Sequence, residues 1–129
     1  MHFPWSPVQK QLSSSDRSHS IYHYLGPNDA PISNTLSAQA ERIAAGTTTA
    51  GIRETCSFVY HVARGAGSTR IISGDGSETT LHWKENDTFA VPTWSKLVHS
   101  ATDAEDVYFF AFSDRGLLER LGMYRMEEQ

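Results

Sequence analysis

Six histidines and a single cysteine are the side chains best able to ligate a transition metal or attack a substrate, and their spacing argues against both roles. No two histidines form a His-x-His pair, and His19 and His23, four apart, lie in a Ser-rich stretch without helical pattern. Cys56 stands alone, which excludes an intrachain disulfide and a thiolate cluster. Nothing beside it in sequence would lower a thiol pKa, so it reads as inert. What the spacing does permit is proton transfer. Glu54 lies two residues from Ile52 and His99 two from Leu97, so in strands each polar group shares a face with an aliphatic one. A carboxylate flanked by Ile52 and Phe58 on an inward face is partly desolvated, which favours acid/base use. The alternative for Glu54 is a salt bridge to Arg53, Arg64 or Arg70, and for His99 a hydrogen-bonded place in the core. Tyr60 falls in phase with Phe58 and His61 out of phase, so the phenol turns inward, as core or as donor.

The elements that must position these groups are mostly strands. Phe58–Val62, Ser68–Ile72, Thr79–Trp83, Thr88–Val91 and Asp106–Phe112 are short runs rich in β-branched and aromatic residues, separated by Gly65, Gly67 and the turn Gly74-Asp75-Gly76. His82 and Trp83 alternate, one inward and one outward, in an order the pattern leaves open. One helix is predicted near the end, where Ser113 or Asp114 caps a segment bearing Leu117, Leu118 and Leu121 before Gly122. Residues 1–36 hold Pro4, Pro7, Pro27, Pro31 and the Ser13-Ser14-Ser15 run, and read as an extended arm. Its Phe3, Trp5, Tyr22 and Tyr24 are too apolar for a free linker and predict packing on the body of the protein or on a second copy, hence a homodimer.

Composition bounds the function classes. A chain of 129 residues has room for one core, and 39% hydrophobic with 20% charged residues supports it. The net charge of -4, with basic residues scattered among acidic ones, offers no footprint for nucleic acid or an anionic membrane. No apolar run approaches a membrane span, and Met1-His2-Phe3-Pro4 does not begin a secretion signal, so a soluble, cytoplasmic protein with a small-molecule partner is expected.

Two linked spacings then carry a resemblance. Gly46 is followed after five residues by Ile52-Arg53-Glu54, after three more by Phe58 and after six more by Gly65. Asn86 is followed after five by Pro92, then by Trp94 and, two residues on, Leu97. These resemble the paired motifs of the cupin family. Glu85–Trp94, Phe112–Arg125, the opening Phe3-Pro4-Trp5 and the Gly26 to Ile43 segment are most similar to the C-terminal half of gentisate, hydroxynaphthoate and salicylate ring-cleaving dioxygenases. The resemblance implies an all-β fold: a single cupin jelly-roll β-barrel over residues 37–129, preceded by the extended arm and closed by the short helix. It also implies a bicupin ancestor in which three histidines of the other barrel hold Fe(II). In this chain the matching ligand positions carry Ile52, Glu54, Phe58 and Leu97, and three of these have no lone pair to give. Glu54 and His99 alone are too few donors for the usual site, so no metal and no cofactor is expected.

On that scaffold both strand faces point into one cavity. Glu54 and His99, with Tyr60, are the candidate catalytic residues, and Ile52, Phe58, Leu97 and Trp94 the candidate substrate wall, Trp94 as an aromatic panel or plain filler. The first reading is a metal-independent enzyme that isomerises, cyclises, dehydrates or decarboxylates a small aromatic or polyketide-like molecule. The second is a non-catalytic binding or interaction module derived from a dioxygenase half, and a third is a dioxygenase with an atypical metal site.

Overall fold

Inward and outward side chains alternate along Phe58–Arg64, where Phe58, Tyr60 and Val62 are buried while Val59 is exposed. That alternation is what one covered sheet face imposes. The computed structural model describes residues 1–128. In chain order it contains α1 (Trp5–Ser13), β1 (His19–Tyr24), β2 (Ser37–Ile43), β3 (Ile52–Glu54), β4 (Phe58–Arg64), β5 (Ala66–Ile72), β6 (Glu78–Lys84), β7 (Thr88–Val91), β8 (Lys96–Ala101), β9 (Val107–Ser113), α2 (Arg115–Arg120) and β10 (Met126–Glu128).

The strands form two five-stranded antiparallel sheets, ordered β1-β2-β9-β4-β7 and β10-β3-β8-β5-β6. Phe58, Val62 and Phe109 from the first meet Ile71, Trp83 and Leu97 from the second in one core. Trp83 therefore faces inward and His82 outward. The expected closed barrel is not what forms. Neither sheet closes on itself: β1 and β7 remain edges of one, β6 and β10 edges of the other. Burial is achieved by stacking two sheets, which needs no hydrogen-bonded seam between them.

The extended arm is also corrected. Residues 5–13 are helical and 19–24 are a full strand paired with β2 from His19↔Ile43 to Tyr24↔Ala38. Pro4 and Pro7 hid the helix from the sequence pattern, yet both fall at its start, where backbone N–H groups have no intrahelical partner to lose. Val8 and Leu12 bury against Ala40 and Tyr108 on the outer face of the first sheet, and Trp5 meets Tyr108 and Phe110 edge-on. The aromatic surface behind the homodimer expectation is thus largely covered by the chain's own sheet. No helix among the described residues is long and apolar enough to cross a membrane.

The C-terminal helix forms as α2, though Asp114 does not cap it. Its Oδ1 accepts the Ser57 N–H at 3.0 Å, and Ser113 Oγ accepts the Arg115 N–H at 3.4 Å. The chain then turns at Gly122 and returns as β10 along β3.

The two spaced motifs acquire a structural meaning in the backbone. Gly46, Gly65, Asn86 and Trp94, the four positions at which the motifs place glycine, all have left-handed φ of 57° to 94°. Asparagine tolerates that region, whereas tryptophan holds it at a cost of roughly 1 kcal/mol or more. The turns of the motif are kept even where the glycine is not.

Candidate functional site

β1, β2, β3, β4 and β8 surround a small cavity between the sheets. Its volume is about 20 Å³, room for a single water molecule. Ile52, Glu54, Phe58, Tyr60, Leu97 and His99 all line it, so six of the seven sequence-nominated residues share one wall system. Trp94 does not line it. The Trp94 ring instead lies beneath the Arg53 guanidinium, 5.7 Å from ring centroid to Cζ.

The phase argument positions Glu54, yet its partners are not the arginines. Glu54 Oε2 accepts from the Tyr124 hydroxyl at 2.9 Å and from Cys56 Sγ at 3.4 Å. Arg64 and Arg70 pair with Glu105 and Glu78. Burial and the nearby Glu54 charge push the Cys56 thiol and the Tyr124 phenol well above their ordinary values, so both stay protonated and can donate.

His99 is 3% exposed and is held from β5. Its Nδ1 lies 2.7 Å from Thr69 Oγ1, and the same Thr69 oxygen accepts the Trp83 indole N–H at 2.8 Å. Burial pulls the His99 imidazole down to about 4, although the Glu41 carboxylate pulls it the other way. Tyr60 stacks on Phe89 with ring centroids 5.2 Å apart, and burial followed by the Glu41 charge raises its phenol pKa.

The largest departure from the sequence reading is on β1 and β2. Glu41 is 2% exposed, and its Oε1 takes the His19 Nε2 at 2.8 Å while Oε2 takes the Gln39 amide at 2.8 Å. Burial raises the Glu41 carboxyl, but the His19 hydrogen bond, electrostatic interaction with the His99 and His19 rings, and the Gln39 amide together hold it below its ordinary value. A buried ionised carboxylate is costly unless it is paired and hydrogen-bonded, and this one is both. Neither Glu41 nor Gln39 was nominated, and His19 was set aside. The usable signal was the two-residue alternation Gln39, Glu41, Ile43.

From this cavity the molecule opens onto a groove of about 870 Å³. His19, Ile21, Gln39, Ile52 and Glu54 border both spaces, and Arg17 and Arg115 lie along the groove. His19 forms no hydrogen bond through Nδ1 among the described residues. A carboxylate that holds Nε2–H leaves the other imidazole nitrogen as a base, the arrangement that serves proton abstraction in many hydrolytic sites.

The Fe(II) that the resemblance implies does not fit the residues present. Ile52, Phe58 and Leu97 offer hydrocarbon where ligands belong, and among the described residues no three His, Cys, Asp or Glu side chains gather as a metal site.

Comparison with known proteins agrees with the fold-level resemblance. The chain is 31% identical to the 5-aminosalicylate 1,2-dioxygenase of Comamonas sp over 97% of its length, and 30% identical to gentisate 1,2-dioxygenase 1 of Aquipseudomonas alcaligenes over 92%. It spans only 34% and 33% of those enzymes. The crystal structure of salicylate 1,2-dioxygenase from Pseudaminobacter salicylatoxidans superposes on 98% of the chain with a TM-score of 0.83 and 26% identity, using 38% of that enzyme. A cupin-2 domain protein of Rhodospirillum rubrum, Rru_A2000, shares the fold over 76% of the chain and 60% of its own, with a TM-score of 0.61 and 15% identity. No family model matches the sequence. The chain is thus strongly similar, in sequence and in structure, to about a third of the cupin-fold gentisate and salicylate dioxygenases.

Proposed function

We propose that this protein is a metal-independent acid/base enzyme that binds a small aromatic carboxylate in the groove and moves a proton with the Glu41–His19 pair. The observation that carries this reading is the fully buried carboxylate at 2.8 Å from an imidazole that also borders the groove. Glu41 holds His19 in one tautomer and stabilises the imidazolium that forms when Nδ1 takes a proton. Glu54, at the shared border of cavity and groove, is the second acid/base group, and Tyr124 and Cys56 hold its carboxylate in place. His99 and Tyr60 supply polar groups from behind. Arg17 and Arg115 along the groove suit a carboxylate, and the similar enzymes are named for 5-aminosalicylate, gentisate and salicylate. Isomerisation, cyclisation, dehydration or decarboxylation requires only such positioned groups.

The ring itself must stay in the groove. A cavity of about 20 Å³ is far below the roughly 150 Å³ that accommodates benzene, so only a substituent reaches past His19.

The test is incubation with gentisate, salicylate, 5-aminosalicylate and related ring acids, under argon with a chelator present, followed by NMR of the small molecules. Conversion should occur, and Glu41→Gln and His19→Ala should each slow it about 10²-fold or more while the fold persists. Conversion only with added iron and dioxygen, or full activity in both variants, would overturn the proposal. The non-catalytic reading is favoured by one observation, the satisfaction of Glu41 and Glu54 by neighbouring side chains. Its signature is saturable binding of a ring acid without conversion.

A further inference from the structure

The hydrogen bonds behind His99 determine what it offers to the cavity. The Trp83 indole can only donate, so Thr69 Oγ1 is an acceptor toward it. The one hydroxyl hydrogen of Thr69 is then free for His99 Nδ1 at 2.7 Å, in an interior where no solvent competes for it, since Thr69 is fully buried. An imidazole that accepts at Nδ1 carries its hydrogen on Nε2. Nothing among the described residues bonds that nitrogen, and His99 lines the cavity.

A second group on the same wall lacks a partner. Ser95 is 4% exposed and its Oγ, which is buried, has no hydrogen-bond partner, although Ser95 lines the cavity. Four residues along the strand from His99, about 13 Å at the rise of a β-strand, that hydroxyl is too far away to share a single water with the imidazole.

We propose that Thr69 is a positioning residue that fixes His99 as an Nε2–H donor, and that this donor holds one neutral, water-sized guest in the cavity. Size limits the guest to a single oxygen-bearing unit. Charge selects its type: the carboxylates of Glu41 and Glu54 border the same space and repel an anion, while the inward N–H of His99 repels a cation. Water both accepts from His99 and donates onward, to Tyr60 or a carboxylate. A hydroxyl substituent of a molecule seated in the groove has the same chemistry and could displace it. This site is independent of whether the groove supports turnover.

Long-range 15N–1H correlation spectra of histidine-labelled protein at pH 7 read the tautomer directly. The Nε2–H form of His99 should dominate by at least roughly tenfold. Thr69→Val should shift the ring toward a mixture of tautomers and move the Trp83 indole signal, and Thr69→Ser should restore both. An Nδ1–H tautomer in the wild-type protein would overturn the proposal even if Thr69→Val fails to fold, as would a Thr69→Val spectrum unchanged at His99. For the guest, a high-resolution crystal structure should show one water within hydrogen-bonding distance of His99 Nε2, and Thr69→Val should weaken or remove it. An empty cavity in the wild-type protein would count against the site.

Discussion

Two walls of one cavity have gone opposite ways. The wall from β3, β4 and β8 carries hydrocarbon, Ile52, Phe58 and Leu97, at the positions that the resembled motifs give to metal ligands, and keeps Glu54, Tyr60 and His99 between them. The wall from β1 and β2 carries a linked polar group, Gln39 and Glu41 buried and His19 partly exposed at the groove. Retaining polar chemistry in an interior depends on the whole set being satisfied, and the set has been assembled on strands remote from the motif.

The sharpest way to break this comparison is to remove the carboxylate. Glu41→Ala leaves His19 and the Gln39 amide without their acceptor and should lower unfolding stability by about 3–5 kcal/mol in urea titration. A loss below about 1 kcal/mol would mean that the polar wall is solvated and not structural.

Acid should erode the polar wall next. His99 sits at about 4 when folded and near 6.5 when unfolded, so between those values the unfolded chain binds the extra proton. Stability should therefore fall as pH drops from about 6.5 to 4, by on the order of 3 kcal/mol. Glu41, held below its ordinary value, contributes stability above that value and loses it as pH falls through the folded one, extending the decline. Denaturant melts across this range measure the slope, and His99→Gln should flatten its upper part.

The hydrocarbon wall should respond least. Leu97→Met conserves volume and should cost less than about 1.5 kcal/mol, read as a small shift in melting temperature. A larger loss would show that this wall, too, depends on exact shape.

How far each wall was legible in the sequence follows from pattern. Strands β4 to β7 and β9 announce themselves through β-branched and aromatic runs, and the inward phase of Glu54, Tyr60 and His99 follows from counting by two. β2 misleads because its pattern is inverted. Gln39 and Glu41 face the interior while Ala40 faces out and is buried only because α1 lies over it. A polar face on an alternating strand ordinarily means solvent, and only tertiary packing reverses that. α1 was missed for the related reason that Pro7 and the serines outweigh two buried residues, Val8 and Leu12. Trp94, left open as aromatic panel or filler, sits in a left-handed turn with its ring under Arg53 and off the cavity wall, because spacing fixes the backbone and not where a strained side chain turns.

Two open sheets leave four strand edges, each with backbone donors and acceptors that a neighbouring chain could pair. The molecule blunts them by different means: β7 is four residues long, β10 is three and carries Glu127 and Glu128, and β6 bears Glu78 and Lys84 at its ends. β1 has the longest stretch of its edge beside the groove, so a ring acid bound there would also shield that edge from intermolecular pairing. Filling the groove as proposed would couple ligand occupancy to resistance to aggregation at a single edge of the molecule.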